Sequence, residues 1–586
     1  MNERYQVLGY PPNDARLRIS RHTNSIFPIT RFSSREEVET RREELRFNLR
    51  MAAGLYPWPE KTPLNAKYED VGIFDGYSVK KIMFETRPGF WSTGNLYLPH
   101  PMKEKMPAIL NVIGHWEDQR LTRTDTGDYP IQLANFARMG FVCLVTDMIG
   151  MVDSRQISHY YGRDEKELWT SNGLGIQLWN NIRALDLLSS LPYVDADRIG
   201  MTGASGGGSQ TLFLSLLDAR VRAAAPINMI SLNMQGGCQC ENAEGLRRST
   251  DNTEMCAMLA PRPLFLAGST GDWTCWLETD ELPGVLEAYR QYGAEDQVEH
   301  FYQDAPHQYN EKTRHHVYSF FARHLMGYDP HWVEQPIEPG DLADYTWFRG
   351  EGHAPGIDSD DAFFAYHKTE RASAIASLDT DEKRRMLAWM TGIREQRHHF
   401  IPLSNLSEDG IAIRRGILVG KHDEKIPTVT VIPEQWDGKQ ICLALGSNGK
   451  DILDTPAVQA ILSGGTAVVS GDLYKTGESA ACVQTDEENE ANNRYFTTFH
   501  DTTDACRAQD AAALLAFARD IASDVTVYAS GTAAGAAACA LALTDGIRSA
   551  QLEAVACESI PVMPGMAAFG GIRTCIALAR CPITTF

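Results

Sequence analysis

The amino-acid sequence predicts an α/β protein, a mostly parallel sheet with helices on both faces, built twice in tandem with a truncated second copy. Three observations predict it. From Tyr77 to about Gly327, short apolar runs rich in β-branched residues alternate with helical stretches, the pattern of a parallel sheet covered on both sides. The same order of segments recurs in the second half of the chain. The recurrence stops at CIALARCPITTF, which aligns with CAMLAPRPLFL of the first copy and ends inside a strand.

In chain order, RREELRFNLRMAA (Arg41–Ala53) spaces apolar residues at helical intervals and is stopped by Pro57, Pro59 and Pro63. An N-terminal helical arm over 1–60 is expected. Strands follow at YSVKKIMFET, TGNLYLP, PAILNVIG, FVCLVTD, RIGMTGAS, RAAAPIN and PLFLAGS, with helices over Ile176–Leu188 and Pro283–Gln291. Uncharged runs such as AILNVI and CLVT fit central strands buried on both faces. Together these give a first domain over 61–328. DPHWVEQPIEPGDLADYTWFRGEGH is rich in Pro, Gly and acidic residues and reads as a connection, so 329–400 is a linker and helix. The second copy occupies 401–586: NVIGHW at 111 is matched by LALGSNG at 443, and VTDMIG at 145 by VSGDLYKTG at 469. The offset stays between 343 (Arg384 against Arg41) and 319 (Cys575 against Cys256), one register held across the chain.

Composition narrows the function. A chain of 586 residues exceeds one core, and 43% hydrophobic with 22% charged residues is ordinary for a folded protein. Subtracting 76 acidic from 55 basic side chains leaves −21, with no basic run to offset it, which excludes nucleic acid as the expected partner. The first twenty residues lack the apolar core of a signal peptide and no window reaches 18 uncharged apolar residues, so a cytoplasmic protein with no membrane partner is expected. Homo-oligomer formation is left open. The twelve cysteines are thinly spread and read as free thiols. Cys238 and Cys240 in GGCQCEN are separated by one residue and have no second pair at zinc-ligand spacing, so no metal is expected.

Gly203-Ala204-Ser205-Gly206-Gly207 lies between the strand RIGMT and the helical SQTLFLSLL, the strand-turn-helix setting in which G-x-S-x-G presents a nucleophilic serine. Such a serine needs a base, itself oriented by an acid. Asp272 follows the strand PLFLAGS and His307 follows VEHFYQDAP, so the order Ser205, Asp272, His307 fits a catalytic triad. Glu241, in the loop after RAAAPIN, is the alternative acid, and Asp304 is a weaker one. Oxyanion donors are expected from the Gly206 N–H and from the backbone of His115 or Trp116 in the GHW turn. Trp116, Trp169, Trp273 and Trp276 fall on loops at the same sheet edge, where they either pack into the core or form an acyl pocket or a stacking surface for a sugar ring.

The ordered features GHW, Asp147–Ser154 (D-x-x-G-x-x-D-S), VDADRIGMTGASGGG, APRPLFLAGSTGDW and APHQY resemble the α/β-hydrolase superfamily, and within it the acetyl xylan esterase and dienelactone hydrolase-like esterases. The resemblance covers about Asp75–Gly327. It implies Ser205 as nucleophile, Asp272 as acid, His307 as base, no cofactor, and a small-molecule or carbohydrate ester as substrate. In the second copy GTAAG places Ala533 where the serine belongs, which predicts a degenerate, non-catalytic domain. The activity expected is therefore a serine carboxylic-ester hydrolase releasing a small, acetyl-like group from a carbohydrate or similar alcohol. A peptidase or amidase with the same triad, and a non-catalytic binding or scaffold protein, are the alternatives.

Overall fold

The computed structural model describes residues 3–17, 21–162, 164–329, 331–394, 398–408, 410–480 and 495–586. The chain divides into two compact units. The first comprises Thr23–Lys166 and Thr170–Thr369; the second comprises Met1–His22, Glu167–Trp169 and Glu370–Phe586. The arm expected over 1–60 is thus split between units.

The main sheet of the first unit has nine strands among the described residues: β1 (Lys67–Phe74), β2 (Tyr77–Arg87), β3 (Phe90–Pro99), β4 (Met106–Val112), β5 (Val142–Thr146), β6 (Val194–Ala204), β7 (Val221–Ile227), β8 (Leu264–Gly271) and β9 (Val298–Pro306). Their spatial order is β1-β2-β3-β5-β4-β6-β7-β8-β9. β1, β2, β3 and β5 pair antiparallel in succession, and every pair from β5 through β4 to β9 is parallel. β5 (VCLVT) is buried throughout, as a central strand covered by helices must be. β1 (KYEDVGIF) escapes the apolar patterning of the sequence because it is an edge strand with most side chains in water.

The second unit repeats this arrangement with β10 (His399–Glu408), β11 (Ile411–Val419), β12 (Lys425–Pro433), β13 (Gln440–Leu445), β14 (Ala467–Gly471), β15 (Asp524–Ala529), β16 (Ser549–Leu552) and β17 (Ile583–Thr585). The order β10-β11-β12-β14-β13-β15-β16-β17 matches the first sheet strand for strand, with no counterpart of β9 among the described residues. Both sheets have the α/β-hydrolase arrangement. A buried ion pair is duplicated as well. Arg120, on the turn after β4, binds Asp147 at the end of β5; Lys450, on the turn after β13, binds Asp472 at the end of β14.

Two expectations change. Helix α1 spans Arg35–Ala52, starting six residues earlier than the apolar spacing indicates, because its first turn is charged and is set by Ser34, whose Oγ accepts the Glu37 N–H at 3.2 Å. The segment read as a connection is laid on the first sheet instead. Tyr345 is fully buried in the core with Tyr97 and Phe136, and Trp347 and Phe348 pack on Met83 and Trp91. No helix among the described residues is long and apolar enough to cross a membrane.

Candidate active site

In a parallel sheet the loops that follow the strands gather at one edge, and the residues expected to carry chemistry lie there. Ser205 joins β6 to helix α2 (Gly206–Leu217) with φ 59° and ψ −126°, a conformation that strains any residue with a side chain. The turn is tight: a Cβ on either Gly203 or Gly207 would sit 2.4 Å from the Val112 carbonyl of β4. The two glycines are therefore steric requirements of the elbow. Ser205 N–H donates to the Ile227 carbonyl at 3.0 Å, which fixes the elbow to the end of β7. Gly206, first in the helix, has no i−4 carbonyl for its N–H, leaving that donor for an anion.

The next residue, Asn228, links the elbow to the acid. Its Nδ2 donates to Asp272 Oδ2 at 2.7 Å and to Ser269 Oγ at 2.9 Å. Asp272 Oδ2 also accepts from His307 Nδ1 at 2.9 Å, and Oδ1 accepts the Thr274 N–H (2.7 Å) and hydroxyl (2.5 Å). Burial pushes the Asp272 carboxyl up, but hydrogen bonds from His307, Asn228 and Thr274 outweigh it and hold the group below the usual carboxylate value. His307 follows β9, with the Trp273 ring at 4.4 Å and the Trp116 ring at 6.1 Å between centroids. A Cβ on Gly114 would lie 2.7 Å from Trp116 Cζ3 and 3.0 Å from Ser205 Cβ, so the Trp116 indole borders both Ser205 and His307. Two polar atoms here are buried without a partner among the described residues: His307 Nε2 and the Trp273 indole N–H.

The alternative acids are engaged elsewhere. Glu241 accepts from Ser209 Oγ at 2.9 Å and from the Gly237 and Cys238 amides at 3.0 Å each, and Asp304 is exposed and takes the Thr270 hydroxyl. Trp276 is exposed, and Trp169 clusters with the second unit. Asn228 and Thr274, which satisfy Asp272, went unnoticed in the sequence, where nothing but their position one and three residues past a strand end could mark them.

Arg120 was missed too. It is fully buried and binds Asp147, Asp153 Oδ2 at 2.8 Å and Asn95 Oδ1 at 2.7 Å, which anchors the turn carrying His115 and Trp116. The D-x-x-G-x-x-D-S stretch supplies both carboxylates. Arg120→Met should destabilise the fold by about 3–5 kcal/mol, because it leaves two buried carboxylates without their cation; denaturant unfolding of the purified variant measures this.

In the second unit the elbow residue is corrected from Ala533 to Gly531. Gly531 precedes the helix Thr532–Leu543 with φ 57° and ψ −147°, close to the backbone of Ser205, whereas Ala533 lies inside that helix. Counting from the first glycine of each motif misplaced the register by two residues; the left-handed turn is the better landmark. Either residue lacks a hydroxyl. The Thr532 N–H, counterpart of the Gly206 donor, is taken by Ser447 Oγ at 2.9 Å.

The absence of a metal-ligand pattern also needs correction. Cys238 and Cys240 have partners from other loops: His115 and His159 bring their ring nitrogens to the same point, the four donor atoms lying within 4.8 Å of one another. Ligand spacing along the chain could not reveal a set drawn from three loops.

Residues 61–230 match the family model described as acetyl xylan esterase. Among solved structures the chain is similar to methylesterase BT1017, at 28% identity over 61% of this chain and 77% of that one, with a TM-score of 0.48. It is also similar to an acetyl xylan esterase from Paenibacillus sp. R4 (19% identity, 51% and 97% covered, TM-score 0.35) and a glucuronoyl esterase from Solibacter usitatus (17%, 50% and 94%, 0.38). No curated protein gives a significant match.

Proposed function

We propose that the first unit, an α/β-hydrolase similar to acetyl xylan esterases, is a serine carboxylic-ester hydrolase that removes a small, acetyl-like group from a carbohydrate or similar alcohol through an acyl-enzyme. One observation carries the reading. Asp272 fixes the His307 proton on Nδ1, and the opposite nitrogen, Nε2, is buried with its lone pair unused at the sheet edge where Ser205 stands. A base held in that tautomer accepts the Ser205 proton as the oxygen attacks the ester carbonyl. The Gly206 N–H and a backbone N–H of His115 or Trp116 receive the oxyanion, His307 returns the proton to the leaving alcohol, and water repeats the cycle. The unpartnered Trp273 indole N–H is a donor suited to a sugar hydroxyl or the ester oxygen. The family match over 61–230, which includes Ser205, supports a carbohydrate ester as substrate.

The second unit is read as non-catalytic, since its elbow residue is Gly531 and Ser447 occupies the donor that an oxyanion would need. A fluorophosphonate probe, followed by peptide mapping, tests both statements: label is expected on Ser205 and nowhere in 370–586. An unlabelled chain would leave the scaffold reading standing, and label in the second unit would refute its assignment.

A further inference from the structure

We propose that His115, His159, Cys238 and Cys240 form a tetrahedral zinc(II) site beside the serine elbow. Three separate loops supply the set: His115 follows β4, His159 follows β5, and the two cysteines follow β7. His115 Nε2 lies 3.2 Å from His159 Nε2, Cys240 Sγ is 3.3 Å from His115 Nε2, and Cys238 Sγ is 3.3 Å from His159 Nε2. For bond lengths of about 2.1 Å to nitrogen and 2.3 Å to sulfur, a tetrahedral ion places its nitrogens about 3.4 Å apart and nitrogen and sulfur about 3.6 Å apart. The three observed edges lie within about 0.3 Å of these lengths, and all four donors lie within 4.8 Å of one another.

The surroundings agree with this. His159 Nδ1 is 2.9 Å from the Ile149 carbonyl, to which it donates, so the Nε2 facing the thiols is a lone pair. His159, Cys238 and Cys240 are buried, His115 is exposed, and Met148 and Met151 pack against the thiols. Four convergent donors of this softness, two imidazoles and two thiolates, suit zinc better than magnesium or calcium. All four positions are protein ligands, so the ion is structural and activates no water.

The site would brace the elbow. The His115 ring rests on Gly206, where an added Cβ would lie 2.7 Å from its Cε1. Glu241, next to Cys240, joins the cysteine loop to helix α2 through Ser209. This bracing role rests on the proposed function of Ser205; the metal site itself does not.

The test is the zinc content of the full chain, expressed in zinc-supplemented medium and dialysed against metal-free buffer. About one zinc per chain is expected in the wild type and equally in Ser205→Ala, which separates this proposal from the fate of the esterase reading. The Cys238→Ser/Cys240→Ser double variant should lose at least about tenfold of that zinc. Because this variant could fail to fold, cobalt(II) is also exchanged into the wild type, where tetrahedral d–d bands with thiolate-to-cobalt charge transfer are expected. Zinc below about 0.1 per chain in the wild type, an octahedral cobalt spectrum, or a Cys238–Cys240 disulfide found by mass spectrometry would overturn the proposal.

Discussion

Ser205→Ala is expected to lower kcat on a nitrophenyl acetate by about 10⁵- to 10⁶-fold, with no pre-steady-state burst. The size follows from what the hydroxyl supplies. Without it no acyl-enzyme forms, and the remaining acceleration comes from the oxyanion donors and binding alone, about 10³–10⁴ over water. KM should change little, because the Trp116 and Trp273 rings beside His307, proposed to face the substrate, are untouched. The fold is expected to survive: Ser205 is held by its backbone N–H on Ile227 and by the glycines around it, not by its side chain. Ser205→Gly carries the argument further. It removes the same hydroxyl but relieves the φ of 59°, and should be about 1 kcal/mol more stable than Ser205→Ala in denaturant unfolding. Gly531 takes the matching turn of the second unit with φ 57°, as expected if that unit, proposed to be non-catalytic, has no nucleophile to present there. A retained burst in Ser205→Ala would remove this serine from the mechanism.

The elements that the sequence discloses are those whose pattern repeats locally. Central strands such as β5 are runs of apolar residues because both faces are covered, and the elbow is legible because glycine is the one residue that fits against the Val112 carbonyl. Edge strand β1 and the first turn of α1 are exposed or charged, and apolar periodicity is silent about them. The proposed triad could be named from strand ends, since each member follows a strand of the parallel sheet. Residues that act through tertiary contact stay hidden. Asn228 and Thr274 matter only because β7 and β8 are neighbours, Arg120 because two loops close over it, and the His115–His159–Cys238–Cys240 cluster because three loops meet. Sequence separation in that cluster runs to 125 residues between His115 and Cys240, beyond any ligand-spacing rule. Tandem repetition gave the strand order of the second unit, but glycine-to-glycine matching misassigned its elbow, because backbone conformation and not residue identity marks that position.

Asp272→Asn is expected to cost about 10⁴-fold in kcat, close to the loss of the serine, although it changes one atom and leaves the shape intact. The reason is the set of donors that surround this carboxylate. Oδ1 faces the Thr274 N–H, a donor that cannot turn, so the oxygen of an asparagine must remain on that side. The new NH2 then points at Asn228 and His307, where Oδ2 had accepted two hydrogen bonds. Asn228 can turn its amide and offer its oxygen. His307 can respond only by accepting at Nδ1, which moves its own proton to Nε2, the atom that should receive the Ser205 proton. The base is then present but wrongly protonated. Stability should respond to pH as well. The Asp272 carboxyl is held below its ordinary value in the folded protein, so it contributes stability above the unfolded carboxylate range, lost as pH falls through its folded value. Asparagine does not titrate, so the variant's stability should fall less steeply between neutral and acid pH than that of the wild type. Equal kcat for the two proteins would place the orienting acid elsewhere; parallel stability–pH curves would show that the Asp272 network does not hold its proton affinity down.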